Sequence, residues 1–427
     1  MEQYSSTRYR VWIVFLLFSG TLINAFDRAS LSISAPTLIK ELGMTPAEMG
    51  MVLSSFFWPY LICNIFAGSW ADKFGARRVM GWAAFIWSIF SALTGLAHDK
   101  IHLIIARIGV GAGESASFPV NAKVVNNSFP SKQRGIVTGV YTAGLRMGFA
   151  VCPLLMAFLL THWGWRFAFI FTGLGSLLWV LLWFVSYKEK KTDKVTTSSP
   201  ARKVPWGRLL RQRGMYGLLL AKFFQDYLLY FFVTWLPGYL ILEHGFTTMQ
   251  MGTYDSIMWL CGFASQPLIG MFSDYLIRRG YSVTAARKGC IVVMMLLLAS
   301  SVIGVGFTKS FAICISLLIV AVACESAGTT MLWTICTELA PKKYAGRIAG
   351  VMNAAGATAG ICAPLITGTI LSVTGSFSGA LIIAGCMVLL AACTVLFVIP
   401  KLQPMDLGEA DDDDGVDEDT SMLTAGH

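Results

Sequence analysis

The 427-residue sequence predicts an all-α polytopic membrane protein, with twelve transmembrane helices in two pseudo-symmetric six-helix bundles and both termini in the cytoplasm. Hydrophobic residues make up 55% of the chain and charged residues 13%, about half of the charged share in soluble domains. Apolar runs of about 20 residues recur along the chain, and each is long enough to cross a hydrocarbon core of ~30 Å. The basic residues lie mainly on alternate connections, as the positive-inside rule requires.

Twelve spans follow from the apolar runs and from the polar or Gly/Pro-containing segments that interrupt them. Arg8 and Arg10 precede the first run, as in a signal peptide. The run continues past Asp27 to Pro36 with no small-residue cleavage site, so we expect a transmembrane helix there. The spans are 11–36, 46–70, 79–97, 101–126, 135–161, 165–187, 214–241, 250–274, 289–307, 310–338, 347–373 and 376–399.

The distribution of basic residues orients these spans. The connections after odd-numbered spans hold only Lys40, Lys100, Arg166 and Lys309, whereas the termini and the even-numbered connections hold 24 of the 33 basic residues. Basic connections stay in the cytoplasm, so we expect both termini there. The predicted parts are a first bundle (1–187), a basic cytoplasmic linker (188–213), a second bundle (214–400) and a disordered acidic cytoplasmic tail (401–427).

The two halves of the sequence repeat. Gly68 and Asp72 in GSWADKFGARR are matched 202 residues later by Gly270 and Asp274 in GMFSDYLIRRG. Parallel repeats with a site near the midplane of the bilayer are an architecture of secondary transporters. A second set matches at a separation of 211 residues: Pro130 with Pro341, Gly135 with Gly346, Gly139 with Gly350, Pro153 with Pro364, and Gly164 with Gly375.

The segment GSWADKFGARR resembles the signature loop of the major facilitator superfamily, and the chain is similar to that superfamily over nearly its whole length. The resemblance implies the fold of the superfamily, in which two bundles give alternating access to a central site. It also implies that Asp72, Arg77 and Arg78 form a cytoplasmic latch and act in gating rather than in substrate binding. This motif carries little information about the substrate.

Ionisable residues inside the spans are candidate functional residues, because charge in the membrane is rare and costly. With a rise of ~1.5 Å per residue, Asp27 on span 1 and Arg107 on span 4 both fall in the outer half of the bilayer, so we expect an ion pair between them. Glu114 lies two turns from Arg107 on the same face, near the midplane. Because burial favours a protonated carboxyl group, we expect Asp27, Arg107 and Glu114 to form a proton-coupling site.

Three further cations predict an anion-binding pocket. Arg28 on span 1, Arg146 on span 5 and Lys222 on span 7 lie near the middle of helices that border the central cavity in the superfamily. Arginine suits bidentate recognition of a carboxylate, and lysine acts as a point charge. The other expected substrate contacts are Tyr60, Thr330, Trp333 and Asn353.

Structural explanations remain open for several charged residues. Lys222 and Asp226 are four residues apart on one helix and could neutralise each other. Glu325 on span 10 could bond to a neighbouring helix. Lys123 and Asp255 lie near span ends, where we expect their side chains to reach the membrane interface.

Within the superfamily, the segments FDRASLSISAP and RIGVGAGESASFPVNAKVV resemble the anion:cation symporter family, which includes bacterial hexonate and hexuronate permeases. In galactonate-type members, the residues that match Asp27 and Glu114 are the proton-coupling carboxylates. The resemblance also implies substrate contacts from the positions of Arg28, Tyr60 and Asn353.

Three positions depart from the galactonate-type pattern. Ala25 replaces a Tyr, while Leu145 and Lys222 replace Gln residues, and Arg146 is an additional cation. Contacts to sugar hydroxyls are therefore depleted and positive charge is added. We infer a substrate that is less hydroxylated or that carries a second anionic group.

Together, these features predict a secondary active transporter that imports an organic acid anion (a sugar acid, a dicarboxylate or an aromatic carboxylate) by proton symport. Two alternatives stay open, a proton-coupled exporter on the same fold and a non-transporting membrane sensor. An enzyme is not expected, because no nucleophile–base motif or metal-ligand spacing is present. We expect a monomer in the bacterial inner membrane, in contact with the lipid bilayer. We expect no metal, no nucleic-acid partner and no cofactor other than the coupling proton.

Overall fold

The computed structural model describes residues 7–189, 206–308, 310–341 and 344–405, and this part of the chain is mostly helical. Lys309, most of the predicted linker and most of the predicted acidic tail lie outside the described residues. The helices are α1 (Thr7–Glu41), α2 (Pro46–Ser55), α3 (Phe57–Phe74), α4 (Ala76–Thr94), α5 (Lys100–Glu114), α6 (Ser117–Ser128), α7 (Ser131–Ser186), α8 (Trp206–Leu209), α9 (Arg213–Leu242), α10 (Thr248–Arg278), α11 (Val283–Phe307), α12 (Phe311–Leu339), α13 (Ala345–Thr374) and α14 (Ser378–Cys393), and α14 continues as a π-helical turn over Thr394–Val398.

The helices follow the predicted spans closely, and eight segments of the described chain are long and apolar enough to cross a membrane. Two spans predicted as single helices each contain a local irregularity: α2 gives way to α3 at Phe56, and α5 gives way to α6 at Ser115 and Ala116, with helical φ and ψ at all three residues. The predicted spans 5 and 6 are joined in α7, whose backbone turns at Gly164. The φ of 79° at Gly164 is one that glycine adopts at little cost. We refer to the parts before and after Gly164 as the first and second halves of α7.

The internal repeat of the sequence is also visible in the helix caps. Thr45 caps α2 in a capping box with Glu48, and Thr247 caps α10 in the same way with Gln250. Thr45 and Thr247 are 202 residues apart, the separation that relates Gly68 to Gly270. Corresponding helices of the two halves therefore begin with the same local structure.

We refer to α1–α7 as the first bundle and to α9–α14 as the second bundle; the two sets of helices contact each other at the end where α1 terminates. There the Ser32 hydroxyl of α1 donates to the Thr234 carbonyl of α9 at 2.7 Å. Gly50 of α2 packs directly on the backbone of α13, and Gly252 of α10 packs on the first half of α7. We call this end of the molecule the closed end.

At the opposite end, the ion pairs of the signature loop and of its repeat each stay within one bundle. Asp72 pairs with Lys123 at 2.9 Å, and Asp274 pairs with Arg287 at 2.8 Å. A Cβ atom added at Gly139 of α7 would meet no atom within 4 Å, in contrast to Gly50 and Gly252 at the closed end. We call this second end the open end.

Candidate functional site

A buried ion pair joins α5 to α1 in the first bundle. Glu114 is the last residue of α5 and is fully buried, and its Oε2 lies 2.7 Å from Nε of Arg28 on α1. The Arg28 guanidinium also lies over the rings of Phe56 and Tyr60, 5.0 and 4.9 Å from their centroids. Gly111 permits this packing, because a Cβ there would come within 2.0 Å of the Phe56 carbonyl oxygen.

The predicted ion pair between the carboxylate of Asp27 and Arg107 is wrong. Nη1 of Arg107 donates instead to the main-chain carbonyl of Asp27 at 3.1 Å, and its guanidinium lies over the Phe56 ring. The Asp27 carboxylate accepts from the Ser91 hydroxyl of α4 at 2.6 Å. Arg107 therefore contacts the backbone of α1, while the hydrogen-bond donor to the Asp27 carboxylate is the neutral Ser91 hydroxyl.

Several polar atoms at this site are buried without a hydrogen-bond partner among the described residues. They include Oδ2 of Asp27, Oε1 of Glu114, Nη2 of Arg28 and Nε of Arg107. A buried polar atom that lacks a partner is costly, and such atoms mark places where a ligand or a proton can bind. Arg28 keeps a free donor and Glu114 keeps a free acceptor, even though the two side chains bond to each other.

A second ion pair lies in the other bundle. Nζ of Lys222 is 2.7 Å from Oδ1 of Asp226, one turn further along α9, and 5.6 Å from the centroid of the Trp333 ring. Gly356 of α13 packs against this pair, since a Cβ there would lie 2.1 Å from Oδ2 of Asp226. Lys222 and Asp226 therefore form the i,i+4 ion pair that the sequence allows. Asn353 lies one turn before Gly356 and is half-buried.

A third ion pair connects the two bundles. Nη1 of Arg146, on the first half of α7, lies 3.5 Å from Oε2 of Glu325 on α12. The Thr329 hydroxyl donates to Oε1 of Glu325 at 2.7 Å. Among the ion pairs between described residues, Arg146–Glu325 is the one that joins the bundles. Glu325 thus bonds to a side chain of another helix, as the sequence allows.

Aromatic residues link the groups of the two bundles. The Tyr230 ring of α9 packs edge-on against Phe57 of α3, with ring centroids 4.6 Å apart. Tyr230 follows Asp226 by four residues, on the same face of α9. Thr330, in contrast, donates to the Ser326 carbonyl of its own helix at 3.1 Å.

The signature-loop residues lie at the open end, away from the ion pairs described above. Asp72 of α3 pairs with Lys123 of α6, the Arg77 guanidinium donates to the Phe184 carbonyl, and Arg78 is exposed. Lys123 lies in the middle of α6, and its Nζ also donates to the Ala71 carbonyl at 2.6 Å. The prediction that Asp255 reaches the membrane interface is wrong: only 2% of Asp255 is exposed, and it lies near Cys152 where α10 packs on α7.

The sequence interpretation missed Phe56, Ser91 and Tyr230. Tyr230 could have been found, because it follows Arg28 by 202 residues, the separation of the first repeat. Phe56 and Ser91 carry no such signal, since an aromatic residue and a serine inside apolar spans are common. Among the described residues, no group of three or more His, Cys, Asp or Glu side chains is placed to hold a metal ion.

Comparison with known proteins identifies related sequences and folds. The model of the Major Facilitator Superfamily matches residues 17–361. A probable galactarate/D-glucarate transporter of Escherichia coli K12 is 33% identical, with 95% of this chain and 98% of the relative covered. A hexuronate transporter of Bacillus subtilis is 32% identical, with 91% and 94% covered. The crystal structure of a D-xylose-proton symporter has a TM-score of 0.79 at 17% identity and covers 92% of this chain and 99% of its own, which supports the fold alone.

Proposed function

The chain belongs to the Major Facilitator Superfamily, and we propose that it imports an organic acid anion by proton symport through alternating access. It is a multi-pass integral membrane protein of the bacterial inner membrane, and it is a transporter rather than an enzyme. The observation that carries the proposal is the buried Arg28–Glu114 pair, in which the cation suited to a carboxylate substrate is already bound by a carboxylate of the protein.

The proposed topology has twelve crossings and cytoplasmic termini. The crossings are α1, α2 with α3, α4, α5 with α6, the two halves of α7, and α9 to α14. The closed end then carries the connections that are poor in basic residues and faces outward, while the basic open end faces the cytoplasm. On this orientation, the structure corresponds to the inward-facing state of the transport cycle.

Proton coupling follows from exchange of partners within the Arg28–Glu114 pair. A substrate carboxylate that binds Arg28 competes with Glu114 for the same guanidinium. If Glu114 leaves Arg28 as an anion, an uncompensated charge remains in a fully buried position, which costs several kcal/mol. Protonation of Glu114 removes that charge. Anion binding and proton binding at this site therefore favour each other.

Asp27 is the second proposed proton-binding group. Its Oδ1 accepts from Ser91, its Oδ2 has no partner among the described residues, and the cation nearest in sequence, Arg28, is engaged by Glu114. Arg107 bonds to the Asp27 carbonyl and so holds this part of α1 in place. In the proposed cycle, protons from outside neutralise Glu114 and Asp27, and both protons leave with the anion on the cytoplasmic side.

The proposed substrate carries two carboxylates. Arg28 lies on one side of the site, and Arg146 and Lys222 approach from α7 and α9, so two anionic groups of one molecule can each meet a cation. Tyr60, Trp333, Thr330 and Asn353 are the proposed further contacts. Relatives named as galactarate/D-glucarate transporters support this choice, since both named compounds are dicarboxylic sugar acids.

Asp72, Arg77 and Arg78 are proposed to act in gating. The Asp72–Lys123 pair joins α3 to α6 within the first bundle, and Arg77 ties α4 to the second half of α7. Both contacts stay within the first bundle, as the proposed inward-facing state requires. In the outward-facing state we expect this loop to contact the second bundle instead.

The test is uptake into proteoliposomes with an imposed acid-outside pH gradient, using D-glucarate, galactarate and D-galactonate as probes. We expect gradient-dependent accumulation that a protonophore abolishes. Arg28→Gln should raise the KM about 10- to 150-fold, the equivalent of a lost charge-assisted hydrogen bond of about 1.5–3 kcal/mol. Arg166→Gln is the matched control, because Arg166 lies at the closed end with 47% of its side chain exposed.

Three outcomes of the proteoliposome assay would contradict import by symport. If none of the three acids enters and none moves protons, import by symport is wrong. Uptake of acid into acid-inside vesicles, with no uptake under the opposite gradient, would show exchange of acid against protons and would favour the exporter. Tight binding without any flux in either direction would favour a membrane sensor.

A further inference from the structure

We propose that Glu325 is a third proton-binding carboxylate, which holds Arg146 when substrate is absent and releases it to a second substrate carboxylate. This inference rests on the proposed function and deepens it, because it assigns the second bundle its own coupling group. It also explains why an arginine on α7 is paired with the opposite bundle rather than left free for substrate.

The internal repeat relates Glu325 to Glu114. The two residues are 211 residues apart, the same separation as Pro130 from Pro341 and Gly139 from Gly350. Both glutamates are fully buried, and each binds an arginine. Glu114 binds Arg28 of its own bundle, whereas Glu325 binds Arg146 of the other bundle. The repeat has thus placed equivalent carboxylates on the two sides of the central site.

Only one charged group faces the Glu325 carboxylate among the contacts of the described residues. Arg146 approaches from α7, while Thr329 and Ser326 of its own helix supply hydroxyls at 2.7 and 3.4 Å. From α9, the neutral Gln225 amide contacts the main-chain carbonyl of Glu325 at 3.4 Å. From α10, the neighbours are neutral as well: Gly262 packs on Ser326, and the Ser265 hydroxyl donates to the Ala323 carbonyl.

When Arg146 leaves Glu325, the buried Glu325 carboxylate therefore keeps hydroxyl donors only. An ionised carboxylate in such a place is strongly disfavoured, so Glu325 takes up a proton when a substrate carboxylate binds Arg146. The longer contact of Arg146–Glu325, 3.5 Å against 2.7 Å for Arg28–Glu114, makes this pair the easier one to exchange. One substrate carboxylate and one proton enter together, and the net charge of the site is unchanged.

Since the pair joins the two bundles, its exchange also removes a contact that ties them together. A substrate with a single carboxylate binds at Arg28 and leaves the Arg146–Glu325 pair intact. A substrate with two carboxylates opens both pairs. The number of protons carried per substrate then depends on the number of carboxylates that the substrate presents.

The experiment measures protons per substrate in proteoliposomes, from the pH gradient at which net flux is zero at fixed membrane potential. D-glucarate is the probe with two carboxylates and D-galactonate is the probe with one. For Glu325→Gln we expect one proton fewer per D-glucarate and no change for D-galactonate. Glu325→Asp keeps a titratable group and should retain the wild-type ratio. Glu48→Gln, at a carboxylate of the closed end, is the control.

A second variant keeps the test decisive if Glu325→Gln does not fold. Arg146→Gln/Glu325→Gln removes both members of the pair and leaves no lone buried charge, and it should show the same loss of one proton per D-glucarate. An unchanged ratio in either variant overturns the inference, and so does an equal change for D-galactonate. Wild-type protein that moves neither acid with protons contradicts the proposed function instead, and the two failures are thus distinguishable.

Discussion

The closed end depends on close contacts between glycine and backbone, and Gly50 gives the sharpest prediction. A Cβ added at Gly50 would lie 2.5 Å from the Pro364 carbonyl oxygen, whereas ordinary van der Waals contact begins at 3.4 Å, so α2 and α13 must separate by about 0.9 Å. Overpacking of this kind costs about 1–3 kcal/mol. If the outward-facing state lacks this contact, Gly50→Ala shifts the equilibrium toward that state about 5- to 150-fold.

The assay is the distance between spin labels at His98 and Ser372, two exposed positions at the closed end of different bundles, in a background without the ten native cysteines. We expect a new, longer distance in Gly50→Ala. Gly139→Ala is the matched control, because a Cβ at Gly139 meets no atom within 4 Å, and its distances should equal those of the parent. A Gly50→Ala protein with the parental distance distribution and parental uptake would refute the reasoning.

Two smaller predictions concern the stability of the bundles. The Glu189 carboxylate accepts from the backbone N–H groups of Ala76 and Arg77 at 2.8 and 3.4 Å. Glu189→Gln removes a negative charge at the N-terminus of α4 and should lower the stability by about 0.3–1 kcal/mol. A measurably lower Tm is the expected result, and an unchanged Tm would contradict it. Burial lowers the pKa of His244, which lies outside the spanning segments and bonds to Tyr239 at 2.7 Å. Since the folded state opposes protonation of His244, the stability that this group contributes is present above the unfolded pKa near 6.5 and is lost as the pH falls below it. The decrease in Tm from pH 7 to pH 5 should therefore be smaller in His244→Asn than in wild type. Equal decreases would contradict the assignment.

Much of the fold could be predicted because apolar runs and their breakers are local properties of the sequence. The ends of α9 and α12 lie within two residues of the predicted spans, and Gly164 divides α7 between predicted spans 5 and 6. The Lys222–Asp226 pair was predictable as an alternative for the same reason, since i,i+4 neighbours on one helix meet whatever surrounds them.

The partners of Arg28 and Asp27 could not be predicted, because depth in the membrane does not fix the direction in which a helix faces. Consecutive residues point about 100° apart, and a small rotation of α1 decides which of the two meets Glu114. Asp255 was misplaced for a related reason: its depth was readable from sequence, whereas its contact with α7 was not.

The most direct test of proton-coupled import compares two transport modes of Glu114→Gln, in which glutamine stands for the protonated glutamate. We predict that the variant still exchanges labelled for unlabelled substrate across the membrane, whereas its proton-driven uptake carries one proton fewer per substrate and accumulates less substrate than wild type, because the other proposed proton-binding carboxylates remain. Full proton-driven accumulation by Glu114→Gln would contradict the account.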